Sequence, residues 1–125
     1  MTMSPRILLV EDNLLNMELT TALLENAGYD VLGVETAEEA IPVARSDSFD
    51  LVLMDIALPG MDGLTATRLL KQQVETANLP VIALTAHALR EEHDAALEAG
   101  CDGYLTKPID RELMLEVLRN QLEAA

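Results

Sequence analysis

A chain of 125 residues can bury one hydrophobic core but is too short for two ordinary domains, so we expect one domain over residues 1–125, with residues 1–4 as an N-terminal tail. The net charge of −14, from 22 acidic and 8 basic residues without a basic cluster, argues against direct binding of nucleic acid or an anionic membrane. One cysteine excludes an internal disulfide, and the lack of a membrane-length apolar run or a secretory signal predicts a cytoplasmic protein.

Short apolar runs alternate with longer segments of helical periodicity along the chain. This alternation is typical of parallel strands joined by crossover helices. The predicted strands are residues 6–10, 29–34, 51–54, 80–84 and 103–105. The first, third and fourth are almost wholly apolar, which predicts that helices cover both of their faces.

The first two predicted helices differ in how clearly they are marked. The first begins near Asn13, is closed by Gly28, and has a predicted apolar face. The residues of that face, at i, i+4, i+7 and i+8, are Leu15, Leu19, Ala22 and Leu23. The second helix, over 37–45, contains Pro42 about one turn from its start, where proline removes a backbone donor, so we expect a late start or a kink.

The remaining helices are marked by capping residues. Asp62 or Thr65 can cap the third helix, which runs to about Val74, and a fourth helix over 89–99 ends at Gly100. A last helix follows Asp110, which is a good N-cap, and extends from residue 111 towards the C-terminus.

Polar residues follow four of the strands at the points where they end. Glu11 and Asp12 follow the first strand, Asp55 the third, Thr85 the fourth and Lys107 the fifth. The carboxyl ends of parallel strands share one edge of the sheet, so these side chains are expected to converge. Each alone has a structural explanation, such as a helix cap or a surface charge, but together they indicate a site. Clustered carboxylates suit a hard cation such as Mg²⁺, and a nearby lysine suits an anion.

These residues and their surroundings resemble the CheY-like receiver domain of two-component response regulators. The matching segments are Glu11-Asp12-Asn13, residues 51–63, Leu84-Thr85-Ala86 and Lys107-Pro108. The resemblance covers nearly the whole chain. It implies a flavodoxin-like, doubly wound α/β fold, with five parallel strands in the order 2-1-3-4-5 and five helices in a three-layer α/β/α arrangement. Asn13 and Asn16 further resemble stand-alone single-domain regulators and the receivers of hybrid kinases and phosphorelays.

The resemblance implies a phosphoacceptor signalling domain rather than an enzyme, which assists only its own phosphorylation and dephosphorylation. By this resemblance, Asp55 takes a phosphoryl group from a histidine kinase, a histidine phosphotransfer protein or a small acyl phosphate. Lys107 then binds a phosphoryl oxygen, and the Lys107–Pro108 peptide bond is cis. Ala57 and His87 stand at positions that tune how readily water reaches the acyl phosphate.

The resemblance also implies a Mg²⁺ site and a switch. Asp12, Asp55 and the backbone carbonyl of Ala57 are its implied Mg²⁺ ligands, together with Glu11, which acts largely through bound water. Thr85 donates its hydroxyl to a phosphoryl oxygen, and Tyr104 turns inward in response. The rotation of these two residues is expected to change how the domain binds its partners.

The last helix bears on those partners because its apolar arc is wider than one buried stripe requires. The arc consists of Leu113, Met114, Leu115, Val117, Leu118 and Leu122. We expect Leu115 and Leu122 to be exposed. We also expect the face formed by the fourth helix, fifth strand and fifth helix to bind an output protein or, transiently, a second copy. His93 is assigned to the surface and Cys101 to the core.

Two alternatives stay open at this point. A small Mg²⁺-dependent phosphatase or phosphotransferase acting on a metabolite also uses an aspartyl phosphate, but it needs a cap or substrate pocket, for which no inserted segment is long enough. A degenerate receiver that binds partners constitutively typically lacks one of the acids or the lysine, and this chain has all of them.

Overall fold

Strands and helices alternate throughout the computed structural model, which describes residues 4–86 and 89–123. The strands are β1 (Arg6–Val10), β2 (Asp30–Val34), β3 (Leu51–Asp55), β4 (Val81–Thr85) and β5 (Gly103–Thr106). The helices are α1 (Leu14–Asn26), α2 (Ala37–Ser46), α3 (Gly63–Gln72), α4 (Arg90–Ala99) and α5 (Arg111–Glu123). In these described parts of the chain, no helix is both long and apolar enough to cross a membrane.

All strand pairs in the sheet are parallel, and the strand order is β2-β1-β3-β4-β5. This confirms the predicted doubly wound fold. Val10 pairs with Met54, and Asp55 pairs with Leu84, so β1, β3 and β4 end close to one another. The register therefore brings the residues that follow these strands to one edge of the sheet.

Two aliphatic clusters fill the space between the sheet and its two helical layers. One lies under α2, α3 and α4, and its buried strand residues include Leu8, Val10, Val52 and Met54. The other lies under α1 and α5, and its buried strand residues include Ile7, Leu9, Leu51, Leu53, Ile82 and Leu84. Alternate residues of β1 and β3 thus point to opposite clusters, and the predicted burial on both faces is confirmed.

The predicted buried face of α1 is wrong. Leu15 and Leu19 are 63% and 56% exposed, whereas Thr20 and Leu24 are buried and Met17 packs against the second cluster. Leucines lie nearly all the way around this helix, so the apolar pattern alone does not select one face. The face at i, i+3 and i+7 from Met17 lies against the sheet, and several leucines of α1 are left in solvent.

The helix ends follow the capping residues closely. Asp62, rather than Thr65, caps α3, since its Oδ1 accepts a hydrogen bond from Thr65 N at 2.8 Å. α3 ends at Gln72, two residues before the predicted end. Gly28 and Gly100, with φ of 97° and 104°, follow α1 and α4 in the left-handed conformation that glycine favours.

Three further expectations need correction. α2 begins at Ala37 and continues through Pro42 to Ser46, so its late start is wrong; Thr36 Oγ1 accepts a hydrogen bond from Glu39 N at 3.1 Å and fixes the first turn. Leu115 and Leu122 are half-buried against the second cluster rather than exposed, because α5 is covered by the sheet over a wide arc.

Candidate functional site

Three carboxylates meet at the carboxyl edge of the sheet, as the strand ends predicted. Glu11 and Asp12 follow β1, and Asp55 is the last residue of β3. One carboxylate oxygen from each lies within 4.8 Å of the others. Glu11 and Asp55 are only 2% and 3% exposed, whereas Asp12 is exposed. The cluster therefore has a buried floor and one side that is open to solvent.

Lys107 supplies the positive charge of this cluster from the segment that follows β5. Its Nζ lies 2.8 Å from Asp55 Oδ2 and 2.8 Å from Glu11 Oε1, and its side chain is 21% exposed. The peptide bond between Lys107 and Pro108 is cis in this structure, the isomer that the resemblance implied. One lysine thus pairs with both buried acids at once.

The two buried acids have pKa values that move in opposite directions. Burial raises the pKa of Glu11 above its usual range, and its hydrogen bond to Asp55 adds to this effect. Burial alone would also raise the pKa of Asp55, but the hydrogen bonds from Glu11, Lys107 and the Ala57 amide outweigh it and lower that pKa. Asp55 is therefore held as the ionised carboxylate, the form that a nucleophile requires.

The pKa of Lys107 is raised as well. Burial would lower it, but the hydrogen bonds to Asp55 and Glu11 outweigh that effect. The ammonium group is consequently charged at neutral pH and is available to bind an oxyanion.

Backbone groups orient the acids. The Ala57 amide donates to Asp55 Oδ1 at 3.0 Å, and the Asn13 amide donates to Glu11 Oε2 at 3.3 Å. Gly63 brings the start of α3 against β3, where its amide donates to the Ile56 carbonyl at 3.2 Å. A Cβ at Gly63 would overlap the carbonyl oxygen of Asp55, so only glycine fits at this point.

The donor set of the cluster is made of oxygen atoms only. Such ligands suit a hard divalent cation, and an ion that keeps several of its waters needs the open side that Asp12 provides. Glu11, Asp12 and Asp55 can each offer one oxygen to the same ion. The residues present therefore fit the predicted kind of metal site.

The two predicted switch residues both contact α4. Thr85 is 5% exposed, and its Oγ1 donates a 2.6 Å hydrogen bond to Glu92 Oε2. The Tyr104 ring packs on the His93 ring, with centroids 4.0 Å apart and an interplanar angle of 42°. His93, assigned to the surface from the sequence, is therefore half-buried against Tyr104. His87, which is expected to tune access of water, lies outside the described residues.

The sequence did not reveal the roles of Glu92 and His93, since both lie in an acid-rich helix without a distinctive motif. Their contacts follow from the three-dimensional position of α4 beside β4 and β5. Cys101, by contrast, lies in the core as expected, with 6% of its surface exposed.

An apolar surface borders the site on the α1 side. Leu14, Leu15 and Leu19 are exposed there. Beside them, a groove of about 550 Å³ runs between α1 and the segment that follows Lys107. Its lining includes Glu11, Asn16, Leu19, Leu23, Lys107 and Ile109.

Comparison with known proteins gives a consistent result. The family model for the response regulator receiver domain matches residues 7–119. The sensor protein GacS of Pseudomonas syringae pv. syringae is 42% identical over 118 residues, which are 92% of this chain and 13% of that protein. The polar-differentiation response regulator DivK of Brucella abortus (strain 2308) is 38% identical over 120 residues, which are 96% of this chain and 98% of DivK.

A solved structure agrees with the fold and with the site. It is the receiver domain of the sensor histidine kinase PA1611 from Pseudomonas aeruginosa PAO1, determined with a magnesium ion coordinated in its active site cleft. The two chains share 38% identity and a TM-score of 0.90, over 96% of this chain and 98% of the other. The strand order, the acids at the strand ends and the family match together show that this chain belongs to the response regulator receiver domains of two-component systems.

Proposed function

We propose that Asp55 accepts a phosphoryl group from the phosphohistidine of a histidine kinase or of a histidine phosphotransfer protein. The observation that carries this proposal is the pairing of a buried Asp55 carboxylate with Lys107 Nζ at 2.8 Å, in a domain of the receiver family. A lowered pKa keeps Asp55 ionised, and the lysine provides positive charge where the phosphoryl oxygens arrive.

In the transfer step, an Asp55 carboxylate oxygen forms a bond to phosphorus as the bond from phosphorus to the donor nitrogen breaks. The leaving imidazole takes up the bonding electron pair. Lys107 then exchanges its contact with Asp55 for one with a phosphoryl oxygen. The product is an aspartyl phosphate, and the main contributions of the protein are positioning and charge neutralisation.

Glu11, Asp12, Asp55 and the Ala57 backbone carbonyl are the residues that we propose to hold Mg²⁺. The bound ion would neutralise negative charge on the phosphoryl oxygens. Support for the ion comes from the oxygen-only cluster and from the magnesium bound by the receiver of PA1611. We further propose that the domain promotes hydrolysis of its own aspartyl phosphate, with the positions of Ala57 and His87 controlling entry of water.

The phosphoryl donor must approach the open side of the site, and the surface beside that opening is apolar. We assign this surface, formed by Leu14, Leu15 and Leu19 of α1, to the helical domain that presents the phosphohistidine. Exposed contiguous apolar side chains commonly mark protein interfaces. The groove between α1 and Ile109 continues the same surface up to Lys107.

Phosphorylation is proposed to change partner binding through Thr85 and Tyr104, whose movement would remodel the face formed by α4, β5 and α5. Leu97 on α4 and Leu113 on α5 are both about half exposed. This face would bind a downstream protein or a second copy of the chain. A shift from mostly one state to mostly the other needs about 3 to 5 kcal/mol of differential interaction.

The proposal is tested by incubating the protein with Mg²⁺ and acetyl phosphate and measuring the intact mass. We expect a Mg²⁺-dependent gain of one phosphoryl group in the wild type and in Asp94→Ala, an exposed α4 control, but not in Asp55→Ala. A constitutive binding module would gain no phosphoryl group from any donor and would not respond to beryllofluoride. That result would overturn the proposed function.

A further inference from the structure

Two consecutive side chains of α4 contact the two predicted switch residues. Glu92 Oε2 accepts the hydroxyl hydrogen of Thr85 at 2.6 Å, and His93 packs on Tyr104 with ring centroids 4.0 Å apart. Successive residues of an α-helix point about 100° apart, so neighbours can reach two different strands. α4 is thereby connected to β4 through Thr85 and to β5 through Tyr104.

The contact between Thr85 and Glu92 limits what the hydroxyl can do. A threonine hydroxyl has one hydrogen to donate. While that hydrogen is donated to Glu92, it cannot be donated to an oxygen of a phosphoryl group. A short hydrogen bond to a carboxylate is also roughly twice as strong as one between neutral groups.

Thr85 is placed to serve either acceptor. Asp55 pairs with Leu84 across the β3–β4 ladder, so Thr85 is one residue beyond the level of Asp55 on the neighbouring strand. Neighbouring strands lie about 4.8 Å apart. A phosphoryl group on Asp55 would therefore extend past the end of β3 towards the Thr85 hydroxyl.

We propose that Glu92 is a positioning residue that competes with a phosphoryl group on Asp55 for the single hydroxyl hydrogen of Thr85. This inference rests on the proposed function, because it concerns the state that phosphorylation of Asp55 would favour. Glu92 stabilises the conformation in which Thr85 faces α4 and Tyr104 packs on His93. The phosphoryl group stabilises the other conformation, so removing either acceptor shifts the population towards the one that remains.

The test measures the affinity for beryllofluoride, a phosphoryl mimic, in the presence of Mg²⁺ by ¹⁹F NMR titration. We expect Glu92→Gln to bind beryllofluoride about fivefold more tightly than the wild type, since a hydrogen bond to a charged group is replaced by a weaker neutral one. Glu91→Gln is the matched control, because Glu91 is the preceding exposed acid of α4 and its substitution removes the same charge. Its affinity should stay within about a factor of two of the wild type.

The competition also predicts a dependence on the hydroxyl. In a Thr85→Val background, which has no hydroxyl to share, Glu92→Gln should leave the affinity unchanged. An equal gain in that background would show that Glu92 acts only through its charge and would overturn the proposal. An unchanged affinity of Glu92→Gln beside a wild type that binds would also overturn it alone, whereas a wild type that does not bind would overturn the proposed function together with this inference.

Discussion

Lys107 Nζ lies 2.8 Å from Asp55 Oδ2, although the two residues are 52 positions apart and their strands, β5 and β3, are separated by β4. The lysine side chain therefore reaches across the carboxyl end of β4. This ion pair links the last strand of the sheet to its centre at the place where the acids cluster.

The first prediction concerns that lysine. Lys107→Met should lower the free energy of unfolding by about 2 kcal/mol at pH 7, because two buried carboxylates lose their counter-charge. Mg²⁺ should restore part of the loss by taking over the neutralisation of the carboxylates. Urea denaturation with and without Mg²⁺ measures both effects.

The control for this substitution is Arg111→Ala, whose guanidinium pairs with Glu112 in solvent. Its removal should cost less than about 0.5 kcal/mol, as for other exposed pairs. Equal losses in the two variants would mean that the Lys107 contacts contribute no more than a surface pair does.

The second prediction concerns pH. Because burial raises the pKa of Glu11 above the unfolded value of 4.5, folding at neutral pH opposes ionisation of this side chain. This cost is absent below the unfolded pKa, where Glu11 is protonated in both states, and it is complete above the folded pKa. Glu11→Gln should therefore be more stable relative to the wild type at pH 7 than at pH 4.

The measurement is the difference in unfolding free energy between Glu11→Gln and the wild type across that range without divalent cations. Glu18→Gln on the exposed side of α1 serves as the control, and its difference should vary little with pH. A Glu11→Gln advantage that grows as pH falls would contradict the assignment.

The third prediction compares two glycines. Gly63→Ala should cost about 2 to 4 kcal/mol of stability, since the added Cβ overlaps the backbone of Asp55 and must push α3 away from β3. Gly28→Ala meets no atom within 4 Å and is affected only by its φ of 97°, so about 1 kcal/mol is expected. Thermal or urea unfolding distinguishes a steric cost from a conformational one, and a smaller loss at Gly63 than at Gly28 would refute the steric account.

The fourth prediction concerns the donor surface. Leu15→Glu should leave stability and phosphorylation by acetyl phosphate nearly unchanged, because Leu15 is largely exposed and does not line the acid cluster. Transfer from a phosphorylated histidine kinase that serves the wild type should slow by about tenfold, the effect of losing one well-packed interface side chain. Leu97→Glu, a similarly exposed position on α4, should keep the transfer rate. Equal slowing by both variants would remove α1 from the donor interface.

The fifth prediction concerns Cys101. Burial raises the pKa of its thiol, and the Sγ lies 3.9 Å from Thr67 Oγ1 in the core. The folded protein should therefore react with a thiol-specific disulfide reagent at least about a hundredfold more slowly than the urea-unfolded chain, since the thiolate is the reactive form. Rapid reaction in the folded state, monitored by absorbance, would contradict the buried assignment.

The sequence predicted the sheet well because β1, β3 and β4 are uninterrupted apolar runs whose ends are marked by Glu11, Asp55 and Thr85. An apolar strand covered on both faces has only one way to be buried, so its pattern is unambiguous. The position of the acid cluster follows from the parallel arrangement alone, and for that reason it was also predictable.

The helices were less predictable on the side that matters for binding. α1 has leucines nearly all around it, so periodicity favoured Leu15 and Leu19 for the core, and the structure places them in solvent. The contact of Glu92 with Thr85 joins an ordinary helix position to a strand end, and no local pattern marks it. Such pairings depend on the angle at which a helix lies on the sheet, which short-range sequence signals do not determine.

The aliphatic core also determines what light can report about this protein. The chain has no tryptophan and two tyrosines, Tyr29 and Tyr104, which pack against opposite clusters. Its ultraviolet emission therefore arises from two phenol rings, one of which lies on His93 at the predicted switch. In a Tyr29→Phe chain, the remaining fluorophore would be a native probe of that region, and no dye or engineered label would be needed.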